Sequence, residues 1–237
     1  MQPSITSSVN DIMKASWNIT DGKVVPKTED IVLKNGGRLI DATYVYADLA
    51  DSSTIAQSLT KEAAAKIIRA FVNTATRILR NQGGEIRSFD GDRVMAIFIG
   101  ERKNWNAVRA AFAINWAVQD VIRPAIKSNW SDGENFYKIG HRVGVDTGEA
   151  LIVRGGARDN NDLISIGGAP NIAAKLSDLK NGHSTYVTDR VFDELTDDLL
   201  YYTQNDVRHS CWSKLYPAVK IGGTNNTVYG STCHWAV

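Results

Sequence analysis

ATYVYADLADSST, residues 42–54, holds the features from which the rest of the chain can be placed. Its β-branched and aromatic first half has the character of a buried strand, and that strand runs out on Asp48. The small residues Ala50, Ser52 and Ser53 follow at the start of a helix, where free backbone N–H groups suit phosphate oxygens. A second carboxylate, Asp92, lies in the tight turn of GGEIRSFDGDRVMAIF (83–98), where Asp90-Gly91 supplies the positive φ angles of a short hairpin. Two hard oxygen ligands brought to strand ends suit a pair of divalent cations on a nucleoside triphosphate. A nucleotide enzyme is the class of protein these residues predict.

Between the two carboxylates, LTKEAAAKIIRAFVNTATRILRNQGG (59–84) keeps a helical apolar period from Ala64 to Leu79, with Thr60 as its N-cap and Gly83-Gly84 as its stop. NWNAVRAAFAINWAVQDVIRPAIKSN (104–129) is a second long helix, punctuated by Pro124. FYKIGHRVGVDTGEALIVRGG (136–156) reads as a pair of strands around Thr147-Gly148. DLISIGGAPNIAAKLSDLKNG (162–182) follows as a strand, a glycine turn and a helix over 170–180, and the tail closes with a hairpin around GGTNN (222–226). This order predicts an α+β fold, a ferredoxin-like βαββαβ domain over 38–237 with a mixed, mostly antiparallel sheet and helices packed on it. Residues 1–37 are expected to form an N-terminal arm that packs on the domain or on a second copy.

Composition narrows the partners. With 237 residues and 43% hydrophobic content the chain can bury a substantial core. Lys plus Arg number 27 against 26 for Asp plus Glu, so the charge balance predicts neither a nucleic-acid partner nor an anionic membrane surface. Cys211 and Cys233 are too few for a disulfide framework, and the four histidines show no metal spacing. No apolar run reaches the roughly 18 residues of a spanning helix, so a cytoplasmic protein is expected.

Four segments in order, YADLADSST (46–54), GGEIRSFDGDRVMAIF, HRVGVDTGEALIV (141–153) and DLISIGGAPNIAAKL (162–176), give the chain a further identity. Over roughly residues 39–232 it resembles the catalytic domain of class III nucleotidyl cyclases. The resemblance implies that Asp48, Asp92 and the carbonyl of Leu49 hold two Mn²⁺ or Mg²⁺ ions per active site, and that Lys220 contacts the triphosphate. It makes Asn171 the ribose-orienting residue and puts Lys175 where the family has a transition-state arginine, with Arg154 or Arg158 available to assist. It further implies a homodimer with composite sites, the metal carboxylates coming from one chain and the Asn171–Lys175 helix from the other.

Base selection departs from both purine patterns. Ser88 and Ile164 stand where adenylate cyclases carry lysine and aspartate or threonine, and where guanylate cyclases carry glutamate and cysteine. A purine would leave its polar edge unpaired there, while Arg87, Ser88 and Asp90 offer a different polar surface, and Tyr44 or Tyr46 could stack on a base or pack in the core. The resemblance thus narrows to the pyrimidine cyclases of bacterial anti-phage signalling, which implies cyclic UMP or cyclic CMP as product and a separate effector that senses it. Guanidinium and hydroxyl donors suit uracil's two carbonyls better than cytosine's amine, so conversion of UTP to 3′,5′-cyclic UMP is expected. Cytidylate cyclase, adenylate cyclase with atypical base contacts and a non-catalytic nucleotide-binding module remain the alternatives.

Overall fold

The computed structural model describes residues 4–130, 138–157 and 160–236, so Arg158 lies outside the described residues. Its arm begins with α1 (Ile5–Lys14), where Ser4 Oγ accepts the Ser7 N–H at 3.2 Å, and no residue of this helix is buried. β1 (Asn18–Asp21) then runs parallel to the first residues of β2 (Gly36–Leu49), with Asn18 opposite Gly36 and Asp21 opposite Leu39. The arm is stitched to the strand that follows it.

Beyond β2 come α2 (Ser52–Ser58), α3 (Lys61–Asn81), β3 (Glu85–Asp90), β4 (Arg93–Phe98), α4 (Lys103–Trp116), α5 (Arg123–Asn129), β5 (His141–Ala157), β6 (Asn160–Ile166) and α6 (Gly168–Leu176). Shorter elements follow: β7 (Thr185–Thr188), α7 (Asp189–Phe192), α8 (Asp197–Leu200), β8 (Tyr201–Gln204), β9 (Val207–Ser210), β10 (Ser213–Lys214), β11 (Val219–Ile221), β12 (Thr224–Asn226) and β13 (Val228–Ser231). The main sheet runs β10-β13-β7-β5-β2-β4-β3, with β1 added on β2 and β6 on β5. Its pairings are antiparallel except β1 with β2 and β5 with β7. The fold is therefore α+β with a mixed, mostly antiparallel sheet, and β11–β12 and β8–β9 stand apart as hairpins.

β2 is central and buried on both faces. Val45, Ala47 and Leu49 join α3 and α4 in the larger core, against Ile67, Phe71, Ala75 and Ile78. Ile40, Ala42 and Tyr44 point the other way, toward Met95, Ile97 and the α6 residues Ala169 and Ala173. α6 approaches the sheet closely at Gly144, where any side chain would collide with the Ala173 carbonyl and the Ser177 amide. By strand alternation Asp48 belongs to this second, α6-bearing face. Among the described residues no helix is long and apolar enough to cross a membrane.

Four local expectations are corrected. Residues 141–157 form one continuous strand, not a pair, because β5 is matched residue for residue by β2 from Gly37 opposite Val153 to Leu49 opposite His141. The reversal after Thr147-Gly148 is thereby prevented, and the hairpin partner is β6. The helix over 170–180 is instead Gly168–Leu176, since Ser177 Oγ bonds back to the Ala174 carbonyl at 2.7 Å and Asp178 turns to an arginine of β4. In the β3–β4 turn only Gly91 has positive φ (62°), Asp90 staying in the strand opposite Arg93. The long second helix breaks into α4, a π-helical turn over Ala117–Ile122, and α5 with Pro124 in its first turn.

His141 makes acid sensitivity a property of this core. Its ring is buried, lies 6.2 Å from the Phe71 ring between centroids, and finds no partner for Nε2 among the described residues. Burial, reinforced by the charges of Arg123 and Arg142, pushes its pKa down to about 3. The unfolded chain therefore binds this proton first, and stability falls as pH drops from the ordinary histidine range toward 3, by up to about 1.4 kcal/mol per pH unit. Thermal melts between pH 7 and pH 5 should show a steeper loss for the native sequence than for His141→Phe. Equal slopes would contradict this account of His141.

Candidate active site

Asp48 is the penultimate residue of β2, and its cross-strand partner in β5 is Arg142. On the other side Ala47 pairs with Val94, which brings Arg93 alongside Asp48. Arg93 Nη2 lies 3.4 Å from Asp48 Oδ2 and 2.5 Å from Asp178 Oδ1, and Lys175 Nζ stands 3.9 Å from Asp178 Oδ2. Burial raises the Asp48 carboxyl above its usual range; the Arg93 hydrogen bond and charge oppose this, while the charges of Asp92 and Asp178 add to it. Asp48 and Asp92 thus share one electrostatic neighbourhood.

Asp92 follows Gly91 in the β3–β4 turn, yet its Oδ2 is buried and accepts no hydrogen bond among the described residues. An orphaned carboxylate oxygen beside a second, partly desolvated carboxylate is the donor set a hard cation fits. Among the described residues no three or more His, Cys, Asp or Glu side chains gather as a metal cluster. Two carboxylates and the Leu49 carbonyl would hold cations only with triphosphate oxygens and water completing the shell.

The predicted phosphate segment is partly spent. The Ala50 N–H donates to the Gly140 carbonyl at 3.0 Å, so that amide is not open to a phosphate. Ser52 and Ser53 form the first turn of α2, where Asp51 occupies the cap position with φ 56° and gives no side-chain cap. The Asp51 carboxylate instead stands 3.6 Å from Lys180 Nζ. Lys220 is exposed on β11 and joins neither Asp48 nor Asp92 in an ion pair among the described residues.

The three base-selecting positions do converge. Arg87, Ser88 and Ile164 line one cleft of about 240 Å³ with Tyr46, Met95 and Ser165. A register shift between Ile86 and Ser88 lets both Arg87 and Ser88 line this cleft, as β-bulges do when they re-aim a side chain. Among the described residues Ser88 Oγ has only the Met95 sulfur, 3.5 Å away, as a hydrogen-bond partner, so the hydroxyl retains capacity for a stronger one. Asp90 is exposed and outside the cleft, and Tyr44 is fully buried in the core, which leaves Tyr46 as the aromatic wall.

Asn171 and Lys175 are exposed one turn apart on α6. Asn171 Nδ2 donates to the Gly167 carbonyl at 3.0 Å and has no hydrogen bond to Asp48 or Asp92 among the described residues. Arg154 is turned to Asn161 Oδ1 at 2.7 Å and the Ile31 carbonyl at 3.5 Å. Asp146 is fully buried and tied to Thr188 and Arg190, a structural lock between β5 and β7. Arg93, Arg142 and Asp178 were not among the sequence candidates. Arg93 was visible as the residue after Asp92, but which carboxylates it faces depends on strand register and on where α6 ends.

Curated proteins and solved structures identify the family. A protein of Rhodovulum sp. (strain MB263) named uridylate cyclase is 47% identical over 191 residues, covering 80% of each chain. A second uridylate cyclase, from Xanthomonas perforans, is 36% identical over 238 residues, covering 100% of this chain and 99% of the relative. The chain belongs to the uridylate cyclases. As a member of that family it is a nucleotidyl cyclase. The adenylyl cyclase CyaB from P. aeruginosa superposes with a TM-score of 0.68 at 18% identity, over 82% of this chain and 95% of the other. The guanylyl cyclase Cya2 gives a TM-score of 0.66 at 15% identity, over 83% and 93%. At these identities the two structures establish the shared cyclase fold of the family. No protein-family model matches the sequence.

Proposed function

We propose that this cyclase converts UTP to 3′,5′-cyclic UMP and pyrophosphate in a homodimer with two composite sites. The observation that carries the reading is the cleft in which Arg87 and Ser88 meet Ile164, because it offers donors to uracil's carbonyls and nothing to a purine's far edge. Bound at Asp48 and Asp92, two Mn²⁺ or Mg²⁺ ions would supply a lowered 3′-hydroxyl pKa and neutralise the departing pyrophosphate. The ribose 3′-oxygen forms its bond to the α-phosphorus, the bond to the β-phosphate bridge breaks, and the hydroxyl proton leaves to solvent. Asn171 orients the ribose, Lys175 offsets charge at the α-phosphate, and Arg142, Ser52, Ser53 and Lys220 hold the triphosphate.

The dimer accounts for the exposure of Asn171 and Lys175, which face no carboxylate of the metal pair in their own chain. Exposed Ile164 and Ile166 on β6 are an apolar surface such a partner would cover. Cyclic UMP would act as a messenger in anti-phage defence, read by a separate effector. Incubation with Mn²⁺ and each of the four ribonucleoside triphosphates should give cyclic UMP as the main product. Cyclic AMP, cyclic GMP or cyclic CMP as the main product would contradict the proposal.

Lys175 carries its own expectation. A guanidinium gives a planar two-point contact that an ammonium cannot, so Lys175→Arg should raise kcat by about threefold to tenfold with little change in KM. An unchanged or lower kcat would show that Lys175 does not stand at the α-phosphate.

A further inference from the structure

The base cleft has one wall that the catalytic domain does not supply. Val25, from the N-terminal arm, lines it together with Tyr46, Arg87, Ser88 and Ile164, and packs against the same cluster as Tyr44, Met95 and Ile97. The segment that presents Val25 is braced along its length. Arg87 Nη1 donates to the Pro26 carbonyl at 3.4 Å, and Arg154 Nη1 to the Ile31 carbonyl at 3.5 Å. Pro26 and Ile31 are buried, and between them the turn Thr28–Asp30 is closed by the Lys27 N–H on Asp30 Oδ2 at 2.8 Å. Upstream, the parallel pairing of β1 with β2 fixes where the segment starts.

We propose that the arm is part of the base-reading apparatus: Val25 is a specificity-determining wall that limits the size of the base, and the Pro26 carbonyl positions the Arg87 guanidinium at the cleft. The inference rests on the assignment of this cleft to the base. A braced apolar side chain has no group with which to satisfy an amino or keto substituent, so a longer base would meet both a steric and a desolvation cost there. Arg87 gains from the same contact. Its two neighbours, the Pro26 carbonyl and Asp162 at 3.9 Å, restrict a side chain that would otherwise lose considerable freedom on meeting a ligand.

The test substitutes Val25 in the full chain, away from the metal carboxylates. Binding of the α,β-methylene analogues of UTP and ATP is measured by calorimetry, alongside product formation from all four triphosphates. Val25→Gly should reduce the preference for the UTP analogue over the ATP analogue by about tenfold, the order expected for a few methylene-sized contacts. Val25→Phe should weaken binding of both analogues by about tenfold or more, by filling the cleft. A preference and affinity unchanged within about twofold in both variants would overturn the proposal. A native enzyme that favours another base but still responds to Val25 would refute the UTP assignment and sustain the wall.

Discussion

Replacing Asp48 or Asp92 with alanine is expected to lower kcat by about a thousandfold or more, because each substitution removes a ligand that no neighbouring carboxylate can replace. Asp178 is the only other acid in the Asp48 hydrogen-bond network among the described residues, and it is held by Arg93 at 2.5 Å. Stability should move the opposite way for Asp48. Its folded-state pKa is raised, so the unfolded chain ionises first and stability declines as pH rises above the ordinary aspartate range. Asp48→Asn removes that cost while Arg93 keeps Asp178. The cation-free variant should therefore melt at a higher temperature than the native chain at pH 7.5, with cyclase activity lost. A large fall in the melting temperature would mark Asp48 as structural; retained turnover would remove it from the site.

Mixing two dead chains should restore activity. Asp48→Ala and Asn171→Ala each spoil both composite sites of a homodimer, but a heterodimer of the two contains one site in which every residue is native. After equimolar exchange, half the dimers are mixed and each has one of two sites intact, so roughly a quarter of native activity should return. Recovery from an undetectable baseline is the largest gain of function the account predicts. Absence of recovery, with exchange verified by native mass spectrometry, would mean that the carboxylates and the α6 residues serve one chain.

Much of the fold could be inferred before any coordinates, for reasons visible in single elements. α3 keeps its apolar period from Ala64 to Leu79 and stops at a glycine pair, so local sequence and burial agree. β2 ends at Leu49, one residue beyond the Asp48 its composition implies. The error at Thr147-Gly148 has a definite origin: a turn-like dipeptide was overridden by thirteen paired positions along β2, from Gly37 opposite Val153 to Leu49 opposite His141, an interaction between segments some hundred residues apart. Register also decided what the site contains. That Arg142 lies opposite Asp48 follows from that same β2–β5 alignment, and that Arg87 reaches the cleft follows from a bulge which Glu-Ile-Arg-Ser does not announce.

The arm is the clearest case of tertiary information. Residues 1–37 carry no strong pattern, yet Val25 ends beside Ser88 and Ile164 because buried Pro26 and Ile31 anchor it to the α6-bearing face of the sheet. The Asp48–Arg93–Asp178 chain is similar. Arg93 follows Asp92 in the sequence, but only the shortened α6 brings Asp178 to it.

The most direct test is a crystal structure grown with Mn²⁺ and the α,β-methylene analogue of UTP, using manganese anomalous scattering to place the ions. The account predicts two anomalous peaks between Asp48 and Asp92 of one protomer, with the uracil ring in the cleft of Arg87, Ser88 and Ile164 of its partner. Peaks away from those carboxylates, or a uracil outside that cleft, would contradict it.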